Sequence, residues 1–166
     1  MKLKRSNAFT LIELLAVMAV IGILAAGVLT GYGTVRRRFF TAQAKATTHR
    51  IANAFSEYYN VYGKWPVAMP PYQGKVNAVC LNHLTKHDPV YNPRKMVFLE
   101  VGSSATNRLG ELADPWGNAY QYKIAPSLQS SVKDPFSDKT LSVPVAVWSA
   151  GADRNDKQDK DNPRNW

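Results

Sequence analysis

Hydrophobic and polar positions divide the chain into a long apolar run, an amphipathic continuation and a polar remainder with short apolar runs. Between residues 9 and 35, Glu13 is the only side chain expected to carry a charge. About 20 such residues are enough to cross a hydrocarbon core of about 30 Å as a helix. The run therefore predicts a membrane-spanning helix, and a lone carboxylate inside such a helix requires a partner.

After residue 38 the pattern becomes that of an amphipathic helix. One helical face collects positions spaced by three or four residues, namely Ala44, Thr48, Ile51, Phe55, Tyr58 and Tyr62. Gly63 and Pro66 follow, and both residue types commonly end helices. We predict one helix over residues 9–62, apolar all round in its first half and packed by one face in its second.

The remaining sequence predicts a small sheet. Residues 63–94 are rich in proline and predict an irregular connector, with a short helix over 76–84. Three runs rich in β-branched and aromatic residues predict strands over 95–101, 119–124 and 143–149. Asp114-Pro-Trp-Gly-Asn118 predicts a tight turn between strands. The expected fold class is α+β, with the long helix packed on a small antiparallel sheet that is followed by a C-terminal loop.

The charge of the chain is basic, with a formal net charge of +9 over 166 residues. Removing residues 1–8 would take away three positive charges and leave +6. A basic balance can indicate nucleic acid or anionic lipid. Here the basic residues that flank the apolar run, in 2–5 and 36–38, are better explained as the borders of a membrane segment.

The single cysteine, Cys80, excludes an intramolecular disulfide. Together with His83 and His87 it could suggest zinc, but a fourth ligand is missing from the neighbourhood and the pattern is weak. We expect a buried thiol and solvent-facing histidines instead.

A secretory signal peptide is the ordinary alternative for the N-terminal run, with cleavage near Ala26. Glu13 lies early in the apolar region, where a charge is unfavourable, and the run continues to Val35, beyond the length that such a signal needs. A plain single-pass anchor leaves Glu13 without a role.

Several motifs together carry a family resemblance. Ala8-Phe-Thr-Leu-Ile-Glu13 matches the cleavage and methylation motif of type IV pilin-like prepilins. The aromatic helix end with Gly63-Lys-Trp-Pro66, and Asp114-Pro-Trp-Gly-Asn118 followed by Tyr120-Gln-Tyr122, resemble the major pseudopilin of type II secretion systems. The resemblance implies a leader over 1–8, cleavage between Ala8 and Phe9, methylation of the Phe9 amine, and pairing of Glu13 with the Phe9 amine of a neighbouring subunit.

The same resemblance implies a pilin-like fold and an organisation in the membrane. Residues 9–35 would form a single inner-membrane span and later the filament core, and residues 36–166 a periplasmic domain, with the N-terminus cytoplasmic. The implied partners are copies of the chain, minor pseudopilins, the prepilin peptidase, the inner-membrane assembly platform, and the lipid bilayer before assembly. Nucleic acid is not expected as a partner.

The C-terminal segment resembles the calcium loop of that pseudopilin family. Ser149-Ala-Gly-Ala-Asp153 and a later Asp161 before Asn165-Trp166 stand in the order of segments that wrap one Ca²⁺ ion. The resemblance implies carboxylate ligands from Asp153 and Asp161 and backbone carbonyls from Ala150 and Asn165. Asn162 stands where the family often has a second acid. Composition alone indicates a solvated tail, and the segment lacks the central Gly and closing Glu of an EF-hand.

The sequence lacks Gly-x-Ser-x-Gly, His-Glu-x-x-His and phosphate-loop motifs, so we expect a structural protein and not an enzyme. The leading hypothesis is a pseudopilus subunit that drives protein secretion across the outer membrane. One alternative is a type IV or competence-type pilin that binds DNA or surfaces through its basic charge. Another is an anchored calcium-binding domain that does not polymerise.

Overall fold

A computed structural model of the protein describes residues 10–66, 73–85, 88–102, 104–155 and 162–166, apart from the side chains of 28–31. The chain divides into two compact units, Met1–Phe39 and Phe40–Trp166.

The long N-terminal helix is confirmed as α1, Leu11–Tyr62. Its end follows the predicted chemistry: Gly63 has a φ of +65° and donates its N–H to the Tyr59 carbonyl at 2.7 Å. A residue in this left-handed conformation closes a helix, and glycine adopts it without a Cβ clash. The glycine signal at the C-terminal end of the amphipathic pattern therefore acts locally.

The predicted helical face forms part of the core of the unit Phe40–Trp166. Ile51, Phe55 and Tyr58 are fully buried, while Tyr62 is half-buried against the same cluster. They pack with apolar residues from the rest of the unit, among them Val76, Leu84, Tyr120 and Val147. Complete burial of a large apolar side chain stabilises a fold by about 1.5–3 kcal/mol, so this face is a main source of stability.

The main sheet has three antiparallel strands in the order β1 (Gln73–Lys75), β2 (Gln121–Ile124) and β5 (Val145–Trp148). In register, Gly74 lies opposite Tyr122, and Gln121 lies opposite Trp148. The predicted strands over 119–124 and 143–149 are confirmed as β2 and β5. The remaining strand, β1, comes from the segment predicted to be an irregular connector.

The predicted strand over 95–101 is wrong. Lys95 has a φ of +51°, outside the extended region. The N–H groups of Phe98 and Leu99 both donate to the Leu84 carbonyl, at 2.9 and 3.1 Å. These bonds satisfy a carbonyl at the end of a short helix, a group that would otherwise lack a partner within the helix. The apolar residues of this run therefore enter the core from an irregular segment.

The short helix is α2, Ala78–Leu84, with Asn77 as N-cap accepting the Cys80 N–H at 3.0 Å. Cys80 is buried as expected, and burial raises the pKa of its thiol. The expectation of a solvent-facing His83 is wrong, because His83 is 1% exposed. Its Nδ1 donates to the Pro66 carbonyl at 2.5 Å, and its Nε2 lies 3.5 Å from Asp88 Oδ2. His87 lies outside the described residues.

A two-stranded hairpin and the chain end complete the unit. Strands β3 (Val132–Lys133) and β4 (Thr140–Leu141) pair with each other in an antiparallel arrangement. Residues 162–166 lie beside β5, where Ser149 donates to the Pro163 carbonyl and Asn165 to the Val147 carbonyl, at 3.0 and 3.2 Å. All four residues of β5 are buried as a result.

Candidate functional site

The start of α1 is a capping box built from Thr10 and Glu13. Glu13 Oε2 accepts from the Thr10 N–H at 2.9 Å and from the Thr10 hydroxyl at 2.8 Å, and the Glu13 N–H donates to Thr10 Oγ1 at 3.3 Å. Such reciprocal bonds satisfy amides that a helix leaves unpaired at its N-terminus. Glu13 thus has a local structural role, which the sequence interpretation missed although the Thr-x-x-Glu spacing signals it. Ala8 and Phe9 lie outside the described residues.

The part of α1 that follows exposes a continuous apolar surface. Among the described residues, Leu11–Tyr62 is the one helix long and apolar enough to cross a membrane, judged by length and composition. Leu11 is 82% exposed, and large apolar side chains remain exposed along the helix through Leu24. An apolar surface of this extent indicates contact with a membrane or another protein.

The turn Asp114-Pro-Trp-Gly-Asn118 is confirmed, and its centre is the buried Asp114 carboxylate. Asp114 Oδ1 accepts from the N–H groups of Trp116 and Asn118 at 2.9 and 2.8 Å. Gly117 has a φ of +87° and donates its N–H to the Asp114 carbonyl at 3.0 Å. Glycine suits this position because its φ lies in the left-handed region.

The same turn holds the C-terminal Ser149–Asp153 segment. Ser149 donates its hydroxyl to Asp114 Oδ2 at 2.5 Å, and Asn118 Nδ2 donates to the Gly151 carbonyl at 2.8 Å. The Ser149 hydroxyl also accepts the Gly151 N–H at 3.0 Å. Two motifs about 35 residues apart in sequence are thereby brought into one hydrogen-bonded network. The sequence identified both motifs but did not reveal that they are in contact.

The residues expected to bind calcium are placed differently from one another. Ala150 is buried, whereas Asp153 is exposed and its Oδ1 accepts the Asn155 N–H at 3.1 Å. Asn165 uses its side chain to bind β5, accepting from the Val147 N–H and donating to the Val145 carbonyl. Asp161 lies outside the described residues.

Asn162 carries the clearest sign of an unfilled bonding position. It is 5% exposed, and its Nδ2 donates to the Asn155 carbonyl at 3.3 Å. Its Oδ1 is buried and has no hydrogen-bond partner among the described residues. A buried acceptor without a partner is unfavourable by about 1–3 kcal/mol, unless a cation or water satisfies it. Amide oxygens of this kind are among the donors that Ca²⁺ accepts.

A zinc site at Cys80 and His83 has less support than the calcium loop. Among the described residues, no group of three or more His, Cys, Asp or Glu side chains is placed to hold a metal ion. The buried His83 has instead a carbonyl and a carboxylate as neighbours. Its burial had a sequence signal: it follows Cys80 by three residues and so lies on the same helical face.

Comparison with known proteins connects the N-terminal segment to a described motif. Residues 3–29 match the prokaryotic N-terminal methylation motif. The chain is 41% identical over 72 residues to the type IV major pilin protein PilE1 of Neisseria gonorrhoeae, covering 39% of this chain and 44% of the relative. It is 41% identical over 60 residues to a fimbrial protein of Neisseria meningitidis serogroup B, covering 36% and 35%.

The chain therefore spans less than half the length of these curated relatives. No solved structure matches it.

Motif and architecture together define a class: a chain with an N-terminal methylation segment, one long helix that begins there, and a small antiparallel sheet. This combination is similar to that of type IV pilin-like proteins, as the methylation motif and the similarity to type IV pilins indicate.

Proposed function

We propose that the chain is the repeating subunit of a periplasmic pseudopilus, which drives protein secretion across the outer membrane in a type II secretion system. The network between Asp114, Asn118, Ser149 and Gly151 carries this proposal. These residues belong to two of the motifs by which the globular unit resembles the major pseudopilin. Pilins and pseudopilins share the N-terminal segment, so that segment does not distinguish them. The contact between these two motifs lies outside it and therefore supports the pseudopilin in particular.

Membrane storage followed by filament assembly accounts for the exposed apolar surface of α1. Its apolar side chains would face lipid first and the helices of neighbouring subunits afterwards, since both surroundings remove them from water. After cleavage behind Ala8, the new Phe9 amine of one subunit would pair with Glu13 of the next. The pairing would offset part of the desolvation of both charges.

Calcium would cross-link the C-terminal loop of the globular unit and so stabilise its fold. Cys80 is the single cysteine, so the C-terminal segment lacks a disulfide. Asp153, Asp161, Asn162 and the carbonyls of Ala150 and Asn165 would hold the ion by their oxygen atoms. Support comes from Asn162 Oδ1, which is buried and has no hydrogen-bond partner among the described residues. When bound, the ion would supply charge neutralisation and cross-linking of the loop.

Deletion of the gene in its host tests the proposal. We expect the deletion strain to retain secreted proteins in the periplasm, and the wild-type gene to restore their release. A Glu13→Ala gene that expresses to the same level is the matched control and should not restore release. Normal secretion by the deletion strain, with no second copy of the gene present, would overturn the proposal.

A type IV pilin is the second candidate, because the curated relatives that match the N-terminal part are named as pilins. In that case the deletion strain would secrete normally and would lack surface filaments or DNA uptake. The same strain therefore separates the two functions.

A further inference from the structure

An open cavity of about 360 Å³ lies on the sheet face that is turned away from the main core. It is lined by Gln73, Gln121, Lys123 and Trp148 from the sheet, and by Pro135 and Phe136 from the loop between β3 and β4. These residues belong neither to the N-terminal segment nor to the proposed calcium ligands. The volume is within the range of pockets that hold small ligands.

The alternation of β2 explains why these side chains share a face. Tyr122 and Ile124 are buried in the main core, so Gln121 and Lys123 lie on the opposite face of the strand. In register, Gln73 lies opposite Lys123, and Trp148 lies opposite Gln121. Side chains with polar groups from all three strands therefore line the sheet side of the cavity.

Several polar side chains of the cavity have unused hydrogen-bond donors and acceptors. Among the described residues, the side chains of Gln73, Gln121 and Lys123 form no hydrogen bond or ion pair. Trp148 is 6% exposed, and its buried Nε1–H has no acceptor in the part of the chain that the structure describes. Lys75, on the same face, differs because it pairs with Glu111 at 3.3 Å. The two amide groups and the ammonium group are therefore available to a ligand that brings oxygen atoms.

Apolar side chains of the loop between β3 and β4 line another side of the cavity. Phe136 packs against Trp148 and Trp166, with ring centroids 5.6 and 6.5 Å apart. Asp134 fixes the loop by accepting the Phe136 N–H at 3.0 Å and the Ser137 hydroxyl at 2.8 Å. The carboxylate nearest in sequence to these apolar side chains is therefore used within its own loop.

We propose that this cavity binds an acidic saccharide of one or two rings. Amide side chains both donate and accept hydrogen bonds, which suits sugar hydroxyls. Phe136 and Pro135 offer an apolar surface to the C–H face of a sugar ring. Lys123 is the cation that lines the cavity, and no carboxylate lines it among the described residues. An acidic ring therefore finds a charge partner without repulsion.

Single-stranded nucleic acid fits these observations less well. Its affinity comes largely from many phosphate contacts, and from bases stacked on exposed aromatic rings. Among the described residues a single cation lines the cavity, and Trp148 is almost entirely buried. The cavity is therefore better suited to one small charged ring than to a polyanion.

Calorimetric titration of the full chain in detergent micelles with digalacturonate tests the proposal, with tryptophan fluorescence as a second readout. The dimethyl ester of the same disaccharide is the matched neutral ligand. We expect saturable binding of the acid, and weaker binding of the ester by about fivefold, as for the loss of one exposed charge pair. Lys123→Gln should remove the difference between acid and ester, whereas Lys75→Gln should leave it unchanged.

Because Lys123 is half-exposed, Lys123→Gln should fold normally, which a thermal melt verifies. Three results would each overturn the proposal: no saturable binding of digalacturonate, equal binding of acid and ester by the wild-type chain, or tighter binding of oligothymidylate than of the disaccharide at equal salt. Equal effects of Lys123→Gln and Lys75→Gln would contradict the assignment of the site to this cavity.

Discussion

Asp114 shows how much one buried carboxylate organises at the scale of the residue. Its two oxygens accept from Trp116, from the backbone and side chain of Asn118, and from Ser149. Asp114→Ala would leave these donors without their acceptor in a place where the side chain is 6% exposed. We expect a loss of about 2–4 kcal/mol in the free energy of unfolding, measured by urea titration of the full chain in detergent.

Asp134→Ala is the matched control for this substitution. Asp134 also accepts from a backbone N–H and a hydroxyl, but it lies half-exposed in a hairpin loop. Water can replace the lost acceptor there, so the expected loss is smaller. Equal destabilisation by the two substitutions would contradict the assigned role of Asp114.

Three core tyrosines make the stability of the chain dependent on alkaline pH. Burial raises the pKa of Tyr58, Tyr120 and Tyr122 to about 12. In the unfolded chain a tyrosine titrates near its ordinary pKa of about 10. The neutral form is therefore favoured by folding, and this contribution is present below about pH 10 and lost as the pH rises towards 12.

We expect the melting temperature to fall between about pH 10 and 12. Tyr122→Phe should make this fall shallower, since it removes one titrating group from the core and the Tyr122 hydroxyl has no hydrogen-bond partner among the described residues. Identical pH profiles for the wild type and Tyr122→Phe would contradict the explanation.

Individual residues were predictable where a motif has a local mechanism. The Asp114 turn and the Gly63 helix end follow from side-chain bonding and from backbone conformation, both of which depend on neighbouring residues. The contact of Asp114 with Ser149, and that of His83 with Pro66, join distant parts of the chain. Such contacts depend on how the elements pack, so the sequence pattern does not reveal them.

At the scale of the element, the C-terminal loop is the segment for which we propose a specific ligand, Ca²⁺. If Ca²⁺ binds the folded chain alone, a hundredfold excess over Kd stabilises it by about 2.7 kcal/mol. We expect the full chain in detergent to melt about 5–10 °C higher in calcium than in chelator. Asp153→Ala or Asp161→Ala should abolish the difference, because each removes a charged oxygen.

Asp156→Ala is the control, since Asp156 lies in the same segment but does not align with the ligands implied by the resemblance. It should preserve most of the calcium effect. If the wild-type chain has the same melting temperature in calcium and in chelator, the proposed calcium site is contradicted. The assignment to a secretion system is then weakened.

Elements were predictable where the periodicity was strong. The helical face from Ala44 to Tyr62 extends over five turns, and the structure buries it as expected. The segment 95–101 has strand composition, but the N–H groups of Phe98 and Leu99 donate to the end of α2. The strand β1 has only Gln73, Gly74 and Lys75, whose composition carries no strand signal. Its pairing with β2 is a tertiary effect.

At the scale of the whole molecule, Glu13 connects the local helix start to filament assembly. Glu13→Ala removes both the charge and the capping bonds to Thr10, whereas Glu13→Gln removes the charge and retains an amide that can cap. If pairing with the neighbour's Phe9 amine is required, both substitutions should insert in the membrane and abolish filaments. Filament yield by electron microscopy, with membrane fractionation, measures this.

Thr10→Ala is the matched control, because it weakens the capping box and leaves the Glu13 charge in place. It should lower filament yield much less than Glu13→Gln. Normal filaments from Glu13→Gln, together with loss of filaments from Thr10→Ala, would mean that helix capping and not charge pairing is the role of Glu13.

The proposed filament depends on processing of the N-terminus, because the proposed pairing with Glu13 requires the new amine of Phe9. Intact-mass and N-terminal peptide mass spectrometry of the chain purified from its host membrane measures this directly. We expect a chain that has lost residues 1–8 and begins with N-methylated Phe9. A chain that begins at Gly27, or one that retains residues 1–8 in the assembled material, would contradict the proposal.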